Sequence, residues 1–299
     1  MRGFGFYLYR PKGEPAWWVE RAMELGASWI APRVLGWYSY DQYTLGFMDR
    51  LVEACRVNGL SIGGWGYHVL ANSLNRGIGQ MEGEAVVRAV GRWGLDFYIV
   101  NGEKELKVGT DPFRNGHRRN GAVLRSEAGK FWRAVRAGLP DLEIGMTSYR
   151  YPKYHREFIW DEMLDTRYVD FVQPQVYWEY DYRPHAGSAQ LGASYLDIRR
   201  ITDLPYVPLL PTYRRGNWIP TRDQLIDFGD KAREIGLEGF GAYTLDHATQ
   251  DEALKEMWKP EGNETGNGPE NPAETLLTPP EDGLARLWTK AVEVGWFDG

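Results

Sequence analysis

Cysteine is almost missing from this chain: Cys55 is the single one among 299 residues, which excludes an internal disulfide framework and any CxxC metal or redox centre. The fold must hold by packing. Histidine is scarce as well. His68, His117, His155, His185 and His247 form no HxH or HExxH pattern, so no metal hydrolase, and no metal, is expected. A basic excess is lacking, with 41 acidic against 35 basic residues and a net charge of −6; nucleic acid is not an expected partner. No GxxxxGK[ST], GxGxxG or GxSxG occurs, which removes the usual support for nucleotide binding or a serine hydrolase. There is no apolar run of ~18 residues, so membrane insertion is not expected. The opening MRGFGFYLYRPKGE lacks the apolar stretch that follows the positive charge of a secretory signal. The expectation is a chain made in the cytoplasm without a Sec signal, with release or virion association by another route.

What is present is ordinary globular composition, 43% hydrophobic and 25% charged, which excludes wholesale disorder, collagen and coiled coil. Aromatic residues are abundant, with 13 Trp, 18 Tyr and 11 Phe. Rings near loops suit the flat apolar faces of sugars.

Up to residue 259 the chain alternates a short apolar run, an amphipathic stretch and a glycine-containing turn, the pattern of βα units. Eight strand-like runs are Gly3–Tyr9, Trp29–Leu35, Ser61–His68, Phe97–Asn101, Glu143–Ser148, Val169–Tyr177, Tyr206–Thr212 and Gly239–Asp246. Helical patterns between them are Ala16–Leu25, Leu45–Val57, Glu82–Trp93, Ser126–Ala137, Phe158–Leu164, Ala189–Ile201 and Arg222–Ile235, with residues 253–258 closing the eighth unit. Gly26, Gly59, Gly94, Gly138 and Gly236 stand where helices should end, since glycine accepts the left-handed conformation there. A mean repeat of about 32 residues fits a (β/α)8 barrel in the α/β class. The rival, a doubly wound open sheet, normally has fewer strands and a phosphate-binding glycine loop after the first, which RPKGEPAWW does not supply. Three segments follow: a barrel domain over 1–259, a polar Pro/Gly/Asn/Glu-rich linker over 260–283, and an apolar-periodic helix over 284–299. That helix is too short to fold alone and is expected to pack on the barrel, or else to be a docking helix or partial repeat; its VEVGWFDG end resembles the end of a surface-layer-homology repeat.

Barrel enzymes carry their sites at the C-terminal ends of the strands. Those ends hold Tyr7 and Tyr9; Arg33; Trp65, Tyr67 and His68; Asn101 and Glu103; Thr147, Ser148 and Tyr149; Gln173, Gln175 and Tyr177; Thr212 and Tyr213; Tyr243 and Asp246. In LDFYIVNGEKELK, Asn101 and Glu103 are two apart and share a face, with Gly102 removing bulk between them. A carboxyl among aromatic rings has its neutral form favoured by desolvation and suits a general acid. Glu103 is the first-choice catalytic residue; the structural alternative is a rim glutamate paired with Arg33 or Arg150.

Here the motifs resemble a family. Asp96-x4-Asn101-x-Glu103 looks like the D-x-x-D-x-D-x-E strand of chitinase-type glycoside hydrolases, Asn101-Gly-Glu103 looks like the D-x-E of barrel muramidases, and substrate-assisted endo-β-N-acetylglucosaminidases carry N-x-E. Gln173-Pro-Gln175-Val-Tyr177-Trp resembles the strand that offers an amide or phenol to the substrate N-acetyl group. The resemblance implies hydrolysis next to an N-acetylhexosamine, with peptidoglycan the first substrate and chitin the second, in an endolysin-like or autolysin-like role and with no cofactor. It departs from the muramidases where Tyr7-Leu8-Tyr9 and Asn101 replace expected aspartates. Most glycosidases use two carboxylates, and asparagine cannot be one. Substrate assistance removes that need: the 2-acetamido oxygen attacks the anomeric carbon, Asn101 orients its N–H, Tyr177 donates to its oxygen and Glu103 protonates the leaving oxygen. Asp246 is the reserve carboxylate, or else an N-cap. Gln175, Gln173, Arg33, Trp65, Tyr67, Trp178 and Tyr213 are the expected substrate-binding residues, with Trp37 and Trp218 as further stacking candidates. Glu105 reads as solvated or bound to arginine, Glu179 and Asp181 as exposed or else lining the same cleft, and Arg114–Arg119 as a solvated charged loop or a binding loop for an anionic polymer. The alternative function is a non-catalytic carbohydrate-binding barrel, as in a phage structural or cell-wall adhesion protein. A metabolic enzyme would need a phosphate cradle after strands seven and eight that LLPTYRRGNW and GAYTLDH do not supply. Oligomeric state is left open.

Overall fold

A computed structural model describes residues 2–41, 45–110 and 118–250. The expected linker, the C-terminal helix and the segment 253–258 lie outside the described residues. Nine strands run in chain order: β1 (Gly3–Leu8), β2 (Trp29–Gly36), β3 (Ser39–Tyr40), β4 (Ser61–Tyr67), β5 (Phe97–Asn101), β6 (Glu143–Tyr149), β7 (Phe171–Gln175), β8 (Leu209–Pro211) and β9 (Gly239–Tyr243). The helices are α1 (Pro15–Glu24), α2 (Met48–Val57), α3 (Gly79–Trp93), α4 (Gly121–Gly138), α5 (Trp160–Met163), α6 (Ala186–Ile198), α7 (Arg222–Glu234) and α8 (Leu245–Gln250).

All strands but β3 are parallel, and β1 pairs with both β2 and β9, so eight strands close into a (β/α)8 barrel. The two-residue β3 was not expected; it folds back antiparallel on Leu35 and Gly36 at the end of β2. Along each strand, alternate residues serve two cores. One, with Phe4, Phe6, Ile62, Val100 and Ile144, meets the helices. The other, with Tyr7, Trp29, Trp65, Phe97, Ile99 and Phe171, fills the barrel.

That inner core is a volume match. Register sets Gly5 beside Trp29, Gly63 beside Phe97, and Gly241 beside Leu209. A Cβ on Gly5 would overlap the Trp29 ring, one on Gly63 the Phe97 ring and one on Gly145 the Phe171 ring, while one on Gly241 would lie 2.6 Å from Leu209 Cδ2. Alternate strands thus supply a ring and the space for it, as the layered interior of such a barrel requires.

Helix ends follow local chemistry. Asn120 caps α4 through its side chain, and Thr221 with Gln224 forms a capping box on α7, worth about 1 kcal/mol. Gly26, Gly59, Gly94 and Gly236 adopt positive φ as expected. Gly138 does not: it is the last residue of α4, and a Cβ there would lie 2.6 Å from Val87 Cγ1 of α3, so helix packing selects it. β7 and β8 are shorter than the apolar runs Val169–Tyr177 and Tyr206–Thr212. Pro205, Pro208 and Pro211 offer no N–H, and between Tyr206 and β7 only an isolated bridge to Val172 forms. Asp246 belongs to α8 rather than to the end of the last strand. No helix among the described residues is long and apolar enough to cross a membrane.

Candidate active site

The site is built from the end of β5. Asn101 closes the strand and is buried. Gly102 lets the chain leave over β6: a Cβ would overlap the Leu106 side chain and lie 3.1 Å from Met146 Cε. Glu103 follows, half-buried at the mouth. Its Oε1 accepts from Gln175 Nε2 at 3.1 Å and from Asn101 Nδ2 at 3.3 Å, and Gln175 Nε2 also approaches Asn101 Oδ1 at 3.4 Å. Two amides from β5 and β7 therefore hold one carboxyl oxygen. Oε2 has no hydrogen-bond partner among the described residues.

Four phenols lie close enough to feel the charge of this carboxyl. Burial above all raises the hydroxyls of Tyr67, Tyr149, Tyr177 and Tyr243 well above the ordinary tyrosine value, helped by Glu105 at Tyr67, by neighbouring phenols at Tyr177 and Tyr243, and by the Glu103 charge at all four, so they remain O–H donors. The Tyr177 ring lies 5.5 Å from Tyr213 and 6.0 Å from Tyr243. Tyr67 donates to Glu105, which is only 5% exposed. The reading of Glu105 as solvated or bound to arginine is thus corrected: the single helical turn Lys104–Leu106 tucks it under the rim.

Beside Glu103 opens a cleft of about 620 Å³ lined by Tyr149, Arg150, His155, Gln175, Tyr177 and Glu179, among others. Of the two readings of Glu179, exposure and a place in the cleft, the second is the one found: it lines this cleft and accepts from Tyr213 and Arg215. The signal was present, because Gln175, Tyr177 and Glu179 continue the period of two that aims β7 at the mouth. His155 was missed altogether. Its ring stacks on Tyr149 at 3.7 Å, and Lys107 donates to its Nδ1 at 2.7 Å, which leaves the ring proton on Nε2. Burial, then the Lys107 charge, lowers its pKa.

Other expected site residues lie elsewhere. Gln173 is fully buried inside the barrel and accepts from the Tyr7 hydroxyl at 2.5 Å, so its side chain is out of a substrate's reach. Trp178 points away from the mouth, packs on Phe228 and donates to Gln224 at 2.9 Å; it cannot stack on a sugar. Trp218 is also fully buried. Trp65 is 3% exposed, donates to Leu8 O and forms the wall behind Tyr9 and Tyr243. Arg33 pairs with Asp41 at 3.1 Å and lies over the Tyr9 and Trp65 rings, so the rim glutamate does not take it as partner. Asp246, 3% exposed, accepts from the backbone N–H of Tyr9 at 3.0 Å and of Arg10 at 3.1 Å, which clamps the loop after β1. Arg119 is buried and donates to Ala71 O and Asn72 O, so it ties two loops together rather than facing solvent. Asp181 is bound by Arg183, which lowers its pKa to about 2. Trp37 remains 37% exposed on the turn after β2. His117 and residues 114–117 of the arginine-rich stretch lie outside the described residues.

No protein-family model matches this chain, and no curated protein matches it. Solved structures do. A chitinase from Rhizomucor miehei aligns over 86% of this chain and 100% of its own, with a TM-score of 0.58 and 13% identity. The glycoside hydrolase domain of PgaB (BpsB) from Bordetella bronchiseptica aligns over 86% and 98%, at 0.58 and 11%. The spore cortex-lytic enzyme SleL of Bacillus cereus aligns over 83% and 72%, at 0.57 and 10%. At these identities the likeness is one of fold: the chain has the (β/α)8 architecture found in these glycoside hydrolases.

Proposed function

We propose that this protein is a glycosidase that cleaves an N-acetylhexosamine polymer, peptidoglycan before chitin, with Glu103 as the general acid. The observation that carries the reading is the holding of Glu103 at the barrel mouth by Gln175 and Asn101 through one oxygen only. The other oxygen is left to carry a proton to the glycosidic oxygen. As the bond to the leaving sugar breaks, the substrate's 2-acetamido oxygen closes on the anomeric carbon and water later opens that ring, so no second carboxylate has to act as nucleophile. Tyr177, beside Glu103 and un-ionised, donates to the acetamido oxygen. Asn101 serves as a positioning residue, since its amide is engaged with Glu103 and Gln175. Asp246, with both oxygens on backbone amides, shapes the loop after β1 and takes no part in proton transfer. The names of the structural neighbours, two of them acting on chitin or spore cortex, agree with this substrate class. An endolysin-like or autolysin-like role goes with peptidoglycan as the substrate. The test is turnover of purified cell wall and chito-oligosaccharides by the native chain and by Glu103→Gln. A loss of about 10² or more with binding retained is expected; equal turnover by the two proteins removes the assignment.

A further inference from the structure

We propose that the cleft beside Glu103 is a subsite for a sugar bearing a carboxylate, with Arg150 as the residue that selects it. This rests on the glycosidase reading and adds a charge preference to it.

Two arginines line the cleft and two lysines lie against its rings, and of the four Arg150 alone has no ion pair among the described residues. Arg215 is spent on Glu179. Lys107, behind Tyr149, pairs with Glu157 at 2.9 Å and donates to His155. Lys153 lies 4.0 Å from Asp197. Arg150 lines the same cleft, half-buried, and has no carboxylate within ion-pair distance among the described residues. Its guanidinium lies 5.2 Å from the centre of the Tyr151 ring, and that ring is pinned by a 2.6 Å bond from its hydroxyl to Gln190. A guanidinium held against a fixed ring has less freedom to lose on binding, and its fork of N–H donors matches a carboxylate. The acid that lines the same cleft, Glu179, already accepts from Tyr213 and Arg215 and so is not poised to take a cationic sugar. The whole chain carries a net charge of −6, so long-range attraction does not bring an anionic glycan here. Selection has to come from a local contact of this kind.

Three glycans of related backbone and different charge test the proposal: neutral chito-oligosaccharides, cationic chitosan oligosaccharides, and peptide-free cell-wall strands whose alternate sugars carry a lactyl carboxylate. The native chain is expected to show kcat/KM about tenfold higher on the acidic strands than on the neutral ones, the scale of one hydrogen-bonded charge contact. Arg150→Gln should bring that ratio close to one and Arg150→Lys should keep part of it. Arg183→Gln, which removes an exposed arginine committed to Asp181, should leave the ratio as it was. A native ratio of one or less, or a ratio that survives Arg150→Gln, overturns the subsite. If none of the three polymers is cut, the glycosidase reading fails, and equilibrium binding of the same strands to native and Arg150→Gln protein still decides the subsite.

Discussion

The two ends of the barrel interior are built from the same strands by the same alternation, yet they are filled on opposite terms. At the lower end Trp29, Phe97 and Phe171 lie against Gly5, Gly63 and Gly145, apolar and matched for volume. At the mouth, four residues further along, β2, β5, β6 and β7 carry Arg33, Asn101, Tyr149 and Gln175, each with a hydrogen-bonding group where the lower layer has a ring or a glycine. Between the two ends, Gln173 is buried with its Nε2 unpartnered among the described residues, a cost that an apolar side chain would avoid. The lower end holds the barrel closed, and the mouth carries chemistry that the lower end makes affordable.

If that division is right, damage to the lower end should read as stability and damage to the mouth as rate. Phe171→Ala, which empties a site filled to the Gly145 backbone, is expected to cost about 3 to 5 kcal/mol in denaturant unfolding. Tyr177→Phe should leave the unfolding midpoint in place and lower kcat about tenfold, the scale of one hydrogen bond to developing charge. A Tyr177→Phe protein that unfolds as early as Phe171→Ala would erase the distinction. Asp246→Asn tests the boundary, since Asp246 sits at the mouth but clamps backbone. It should lower stability by about 1 kcal/mol and reduce activity only through the loop it holds, which a near-normal kcat with raised KM would show. The smallest effect is on the outer surface. Arg183 holds the Asp181 carboxyl down to about 2 from 3.8. A depressed carboxylate contributes stability that is present above its unfolded value and is lost as pH falls through its folded one. The difference in urea midpoint between native and Arg183→Gln protein should therefore be small at pH 6 and shrink below about pH 4.

The order of strands and helices was legible because both signals are local: period-two apolar runs and glycine at four helix ends. Gly138 and the proline-broken strands departed from it for tertiary reasons, close helix packing in one case and missing N–H donors in the other. At the site, Glu103, Gln175, Tyr177, Tyr149 and Tyr213 could be found from strand ends alone. Gln173 and Trp178 could not be sorted, because the same strand-end position does not reveal whether a side chain sinks into the barrel, reaches the cleft or turns toward α7. Glu179 and Arg150 could be named but not given their places, for a related reason. Each lies beyond a strand, where its direction depends on partners such as Tyr213 and Tyr151 that only the folded chain brings near.

The central claim is that Glu103 delivers a proton to the departing oxygen, and the dependence on the leaving group tests it most directly. Aryl glycosides of N-acetylglucosamine oligomers with poor and with strongly acidic phenol leaving groups should be compared for native and Glu103→Gln protein. The account predicts a loss of about 10² or more for the poor leaving group and little loss for the acidic phenol, which departs without protonation. An equal loss for both, or none for either, would contradict it.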